Sequence, residues 1–126
     1  MPRITRWFLK TGLIYLVIGL AAGMFPRLAG PLFPVYVHFI TIGWLTQLIF
    51  GVAFWLFPQS RRGAKPDERP LWAVYALLNA GLIVRAVAEP ATQLPGREWA
   101  IAFAAASLWA ACCLFAAVTW PRIRPR

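Results

Sequence analysis

Four long apolar runs, separated by short stretches of proline, glycine and charge, leave this chain few ways to fold. They cover about residues 7–25, 35–57, 71–88 and 99–120, each close to the ~20 residues that carry a helix across a bilayer. Pro26, Pro31, Pro34, Pro58, Pro66, Pro70, Pro90, Pro95 and Pro121 lie between the runs or at their edges, where a missing backbone donor does least harm. Of the 126 residues 60% are hydrophobic and 13% charged, more apolar surface than a soluble core of this size can hide. The expected fold is all-α, an integral membrane four-helix bundle forming a single transmembrane domain over residues 1–126. An extramembranous catalytic domain, a large sheet and a nucleotide-binding domain are excluded.

The net charge is +9, and its placement says more than its size. Arg3, Arg6, Lys10, Arg61, Arg62, Lys65, Arg69, Arg122, Arg124 and Arg126 flank the runs on one side, whereas the other two loops hold only Arg27 and Arg97. The positive-inside rule then places both termini and the central loop in the cytoplasm. Trp7, Trp55, Trp72 and Trp120 fall at the same interface and would form its aromatic belt. A basic surface facing anionic lipid accounts for the charge, and no motif for nucleic acid accompanies it. The setting is a bacterial-type inner (plasma) membrane, crossed several times. The first run reads as a span rather than a cleaved leader, because its loss would leave three spans with conflicting loop charges. No convincing internal repeat is evident.

Small residues predict where helices meet. Gly19 and Gly23 on the first helix, Gly43 and Gly51 on the second and the Ala100–Ala106 stretch on the fourth would let backbones approach closely. Gln47, midway between Gly43 and Gly51, should face a neighbouring helix. Cys112 and Cys113 are adjacent, so they point about 100° apart and form no metal-binding face; apolar packing is their expected role, and a disulfide framework is excluded.

Few strongly polar side chains enter the runs: Lys10, His38, Gln47, Asn79, Arg85 and, at a boundary, Glu89. Lys10 is near enough to the cytoplasmic face to snorkel. His38 lies about 6 Å below the outer end of the second helix and Arg85 about 7.5 Å below the outer end of the third, at 1.5 Å per residue. Two helices thus deliver them to one depth. Glu89, one turn beyond Arg85, offers an internal ion pair; the alternative is an anionic ligand group held by the guanidinium. A histidine in lipid, the only one in the chain, is either a hydrogen-bonded packing residue or a ligand.

The stretch Val37-His38-Phe39-Ile40-Thr41-Ile42-Gly43-Trp44, continuing through Gln47 and Gly51 to Pro58, resembles the histidine-bearing helices of the heme-copper oxidase subunit I superfamily and its small membrane relatives. In that family a histidine near the outer face opens a His-x-x-x-x-Gly run and is an axial heme ligand, and outer-face arginines hold the heme propionates. The resemblance implies His38 as metal ligand and, by depth rather than motif, Arg85 as propionate anchor. It covers about one helix in four. Subunit I has many more helices and several histidines, so one histidine here builds no copper site and oxygen reduction is not implied.

A bis-histidine b-type heme can still form if two chains each supply His38 across a twofold axis normal to the membrane. Met24 is the other soft ligand near the outer face of a single chain, and Tyr36, Trp44 and Phe39 could line the heme edge. The expected function is therefore a homodimeric membrane protein that binds heme b and transfers electrons to a respiratory-chain redox partner, an electron carrier rather than an enzyme. The alternatives are a small homo-oligomeric transporter or channel and a structural subunit of a respiratory complex.

Overall fold

The computed structural model describes residues 1–25, 29–57 and 67–123. Among them are four helices long and apolar enough to cross a membrane, Arg3–Gly23, Leu32–Leu56, Arg69–Ala88 and Arg97–Arg122, and no strand. Arg27, Arg61, Arg62, Lys65, Arg124, Arg126, Pro26, Pro58 and Pro66 lie outside the described residues. Helix α1 is Arg3–Gly23, α4 is Arg69–Ala88 and α5 is Arg97–Thr119. The second span is compound: α2 (Ala29–His38), a π-helical stretch (Phe39–Thr46) and α3 (Gln47–Leu56).

The helices begin two to six residues before the apolar runs. Apolarity marks the depth of the hydrocarbon, whereas a helix continues into its polar first turn until a cap ends it. The largest shift is at Pro34, expected at an edge but lying inside α2. It leaves one ladder position without a donor, and the wide π turns begin five residues later. Within them the Thr41 hydroxyl donates to the Val37 carbonyl at 2.7 Å and the Thr46 hydroxyl to the Thr41 carbonyl, five residues back, at 2.9 Å. Short π segments inside α-helices occur often at functional sites.

Glycines set the first hairpin. A Cβ on Gly43 would lie 2.7 Å from Cγ of Tyr15, one on Gly51 2.9 Å from Cβ of Phe8, and one on Gly19 2.9 Å from Cδ1 of Ile40. The two spans are thus antiparallel and nearly in backbone contact, as their small residues predict. In the second hairpin the close approach is at Gly81, against Leu108 and the Ala104 carbonyl. Only Ala104 of the Ala100–Ala106 stretch is fully buried, so α5 contributes one small contact rather than a stripe. Cys112 and Cys113 are free and exposed on the bundle surface, not packed inside as expected, because the buried face of α5 runs through Ala104, Leu108, Ala111 and Phe115.

The hairpins stack side by side and in parallel. Thr11 meets Tyr75 and Tyr15 meets Asn79, while in the partner layer the Phe50 and Phe115 rings stack at 3.8 Å and 3°. Trp7 and Trp72, whose rings are 6.3 Å apart, are 65 positions apart in sequence, and so are Trp44 and Trp109, Phe50 and Phe115, and Trp55 and Trp120. The chain is therefore an approximate tandem repeat of one hairpin, with two of the equivalent aromatic pairs in contact, Phe50 stacked on Phe115 and Trp7 edge-on to Trp72. Four aromatic matches in an otherwise diverged pair of halves are too sparse to register without the packing.

Candidate functional site

The end of the bundle away from the chain termini, here the far end, collects His38, Arg85 and Glu89. His38 closes α2, and Nδ1 lies 2.6 Å from the Pro34 carbonyl oxygen and 3.5 Å from Oε2 of Glu89. With two acceptors at Nδ1, that nitrogen carries the proton as donor. Among the described residues Nε2 has no hydrogen-bond partner, and a backbone carbonyl or carboxylate at Nδ1 is the arrangement that orients a metal-ligating imidazole. The ring is 22% exposed.

Glu89 ends α4 and is the most buried of the three, at 8% exposure. Oε1 accepts from Nε of Arg85 at 2.5 Å, whereas Oε2 is buried with no hydrogen bond and only His38 Nδ1 nearby. The ion pair read from the i, i+4 spacing is thus present, and it extends across to the second span. Arg85 spends one of its five N–H donors on Glu89; among the described residues its Nη groups make no hydrogen bond. Arg97 closes this end by donating to the Ala88 and Glu89 carbonyls at 2.9 and 3.2 Å, satisfying acceptors that the end of α4 leaves open.

The other expected site residues spread out. Tyr36 is half-buried with its ring over Gly23, one residue from Met24, which is 77% exposed at the end of α1. Trp44 is deeper: its carbonyl faces Gly12, whereas Phe39 and Ile40, next to His38, face Gly19, so Trp44 is roughly 10 Å further along α1. The structure brings His38, Arg85 and Glu89 together and leaves Trp44 a different layer. The residue that sequence reasoning underused is Glu89. Its spacing pointed to Arg85, but its contact with His38 depends on how two spans are rotated, which spacing within one helix does not reveal.

A second polar cluster lies near the middle of the bundle. Oδ1 of Asn79 accepts from Tyr15 Oη at 3.0 Å and Gln47 Nε2 at 3.3 Å, and its Nδ2 donates to the Tyr75 carbonyl at 2.8 Å. Gln47 is fully buried, as its position between two glycines predicts. No group of three or more His, Cys, Asp or Glu that could hold a metal ion occurs among the described residues.

The chain belongs to the NnrS family, whose model, described as NnrS protein, matches residues 3–126. The match gives no link to heme-copper oxidase subunit I, so that resemblance stays with the residues of the second span. No curated protein and no solved structure matches the chain.

Proposed function

We propose that this NnrS-family chain is a membrane heme-binding protein of the nitric-oxide response, holding b-type heme at its far end through Nε2 of His38. The observation that carries this reading is the imidazole itself, fixed at Nδ1 by Pro34 and faced by Glu89, with its other nitrogen free for iron. Family membership supports it, since NnrS proteins are membrane-associated heme and metal proteins. The residues suit the group: His38 would hold its iron through Nε2, and His38 of a second chain would supply the other imidazole. Arg85 would hold a propionate through its Nη donors while Nε stays on Glu89. Tyr36 would border the ring edge, with Trp44 deeper.

Heme in such a site supplies one-electron redox chemistry, and two histidines filling the axial positions favour electron transfer over catalysis. Glu89 keeps the imidazole aimed, and Arg85 offsets the buried carboxylate charge. In this reading both termini lie on the cytoplasmic side of the plasma membrane, which the basic clusters favour, and the far end faces out, toward a redox partner of the respiratory chain. The purified protein should show a reduced low-spin b-type spectrum with about one heme per two chains, the ratio that one histidine ligand per chain demands. Absence of heme under every growth condition would overturn the reading. Labelling single cysteines in intact cells checks the orientation: reaction from outside at residue 63 but not at residue 93 would reverse it.

A further inference from the structure

One face of α1 changes character along its length. At the terminal end Arg3, Arg6, Trp7 and Lys10 line a concavity of about 240 Å³ that opens to the surface. Further along the same face are Ile14 and Val17, 56% and 67% exposed, with Leu13 beside them at 54%. Positions 3, 7, 10, 14 and 17 are one stripe of an α-helix. The stripe is cationic at headgroup depth and bare hydrocarbon below it. Trp7 is fixed as a wall by edge contacts with Trp72 and Tyr75 at 6.3 and 6.4 Å. Among the described residues Arg3, Arg6 and Lys10 have no ion pair.

The tandem arrangement shows what else could cover this face. The equivalent face of α4, 65 positions on, carries Glu68, Trp72, Tyr75 and Asn79 and is covered by α1. There the Glu68 carboxylate accepts the Arg3 and Ile4 N–H groups, both at 3.2 Å. On the outer face the acid is replaced by Arg3, and Asn79 by Ile14. A second copy continuing the stack would present the counterparts of Arg3, Ile4, Thr11 and Tyr15, namely Glu68, Arg69, Ala76 and Ala80, with the Glu68 carboxylate already accepting from its own Arg3 and Ile4 N–H groups. It would bury three cations without an uncommitted carboxylate, at high cost. Charge complementarity selects an anion, and the apolar track below selects one that carries acyl chains.

We infer that the Arg3–Arg6–Trp7–Lys10 concavity is a binding site for the phosphate headgroup of an anionic phospholipid, with its acyl chains along Leu13, Ile14 and Val17. The inference is independent of heme. Juxtamembrane lysines and arginines contribute about 1 kcal/mol each toward anionic lipid, or about fivefold.

The test titrates the full chain, purified in neutral detergent, with phosphatidylglycerol and phosphatidylcholine and counts retained lipid by native mass spectrometry. One phosphatidylglycerol per chain should be retained in preference to phosphatidylcholine. Arg6→Gln with Lys10→Gln should weaken retention by about 25-fold, while Arg69→Gln, an exposed cation on the same side outside the concavity, leaves it unchanged. Helicity by circular dichroism confirms that these surface variants fold. Equal loss in Arg69→Gln, or no preference between the lipids, overturns the site. Displacement of phosphatidylglycerol by inorganic phosphate would make it a free-anion site, and displacement by chain association would assign the face to a second copy; either result overturns the inference.

Discussion

The bundle holds two polar clusters of similar size, and they differ in what they leave open. Near the middle, Tyr15, Gln47 and Asn79 direct their donors at one another or at the Tyr75 carbonyl, and only Oε1 of Gln47 stays without a partner. At the far end, Glu89 touches both His38 and Arg85, yet among the described residues each keeps an unpartnered group: Nε2 of the imidazole, the Nη groups of the guanidinium and Oε2 of the carboxylate. The first cluster joins three spans and closes on itself. The second is held by the Pro34 carbonyl at His38 Nδ1, and the His38 and Arg85 side chains stay 22% exposed. A polar group in lipid is costly either way; the central cluster recovers that cost as helix association, whereas under the proposed function the far cluster would recover it from a ligand.

The widest separation between the clusters should come from His38→Ala. Heme absorbance should disappear completely and the dimer should loosen, since a ligand bound across an interface stabilises the assembled state, while helicity stays nearly unchanged. Residual low-spin absorbance at full stoichiometry would move the iron ligand elsewhere. Gly43→Val should do the reverse. A Cβ there would already lie 2.7 Å from the Tyr15 ring, and the ring cannot withdraw because its hydroxyl is held by Asn79. Overpacking of this kind costs about 1–3 kcal/mol, measurable as a lower unfolding midpoint. A neutral Gly43→Val would mean the first hairpin is looser than its contacts.

Arg85→Leu sharpens the far end from within. Loss of a charge-assisted contact should weaken heme retention about tenfold, corresponding to ~1.4 kcal/mol, whereas Lys10→Leu should leave retention unchanged. Equal effects would reduce Arg85 to its ion pair with Glu89. Asn79→Leu removes the shared acceptor of Tyr15 and Gln47 and should lower stability by about 1 kcal/mol, in the range of interhelical hydrogen bonds in membranes. The heme spectrum should be untouched; a shifted spectrum would show that the clusters communicate.

Much of this was legible before the fold. The number of spans, the burial of Gln47 and the meeting of His38 and Arg85 at one depth all follow from one-dimensional facts: apolar run length, glycine spacing and distance from a run's end. What was hidden depends on rotation and on pairing between distant segments. Glu89 needed the phase of α4 relative to α2 to be seen beside His38. The tandem repeat needed Phe50 on Phe115 and Trp7 on Trp72 to be seen in contact. The outward cysteines needed the buried face of α5, whose many alanines blur any sequence periodicity. Pro34 inside α2 and the π stretch after it were unreadable because proline marks an edge far more often than an interior.

The smallest expected effect tests whether one chain could ligate heme alone. Met24 is the alternative soft ligand, and the repeat gives it a telling counterpart: Glu89 is the residue 65 positions later. Each follows an ascending helix at the far end, but Glu89 turns inward at 8% exposure and meets His38, whereas Met24 is 77% exposed. The position that faces His38 is thus taken by a carboxylate, and Met24 belongs to the opposite hairpin's version of it, whose equivalent of His38 is Phe103. Met24→Leu should therefore change neither the reduced spectrum nor the ratio of about one heme per two chains required by bis-histidine ligation. If instead one heme per chain is found and Met24→Leu removes it or shifts its spectrum, the ligands are His38 and Met24 of one chain. The far end would then be a self-sufficient site rather than half of one.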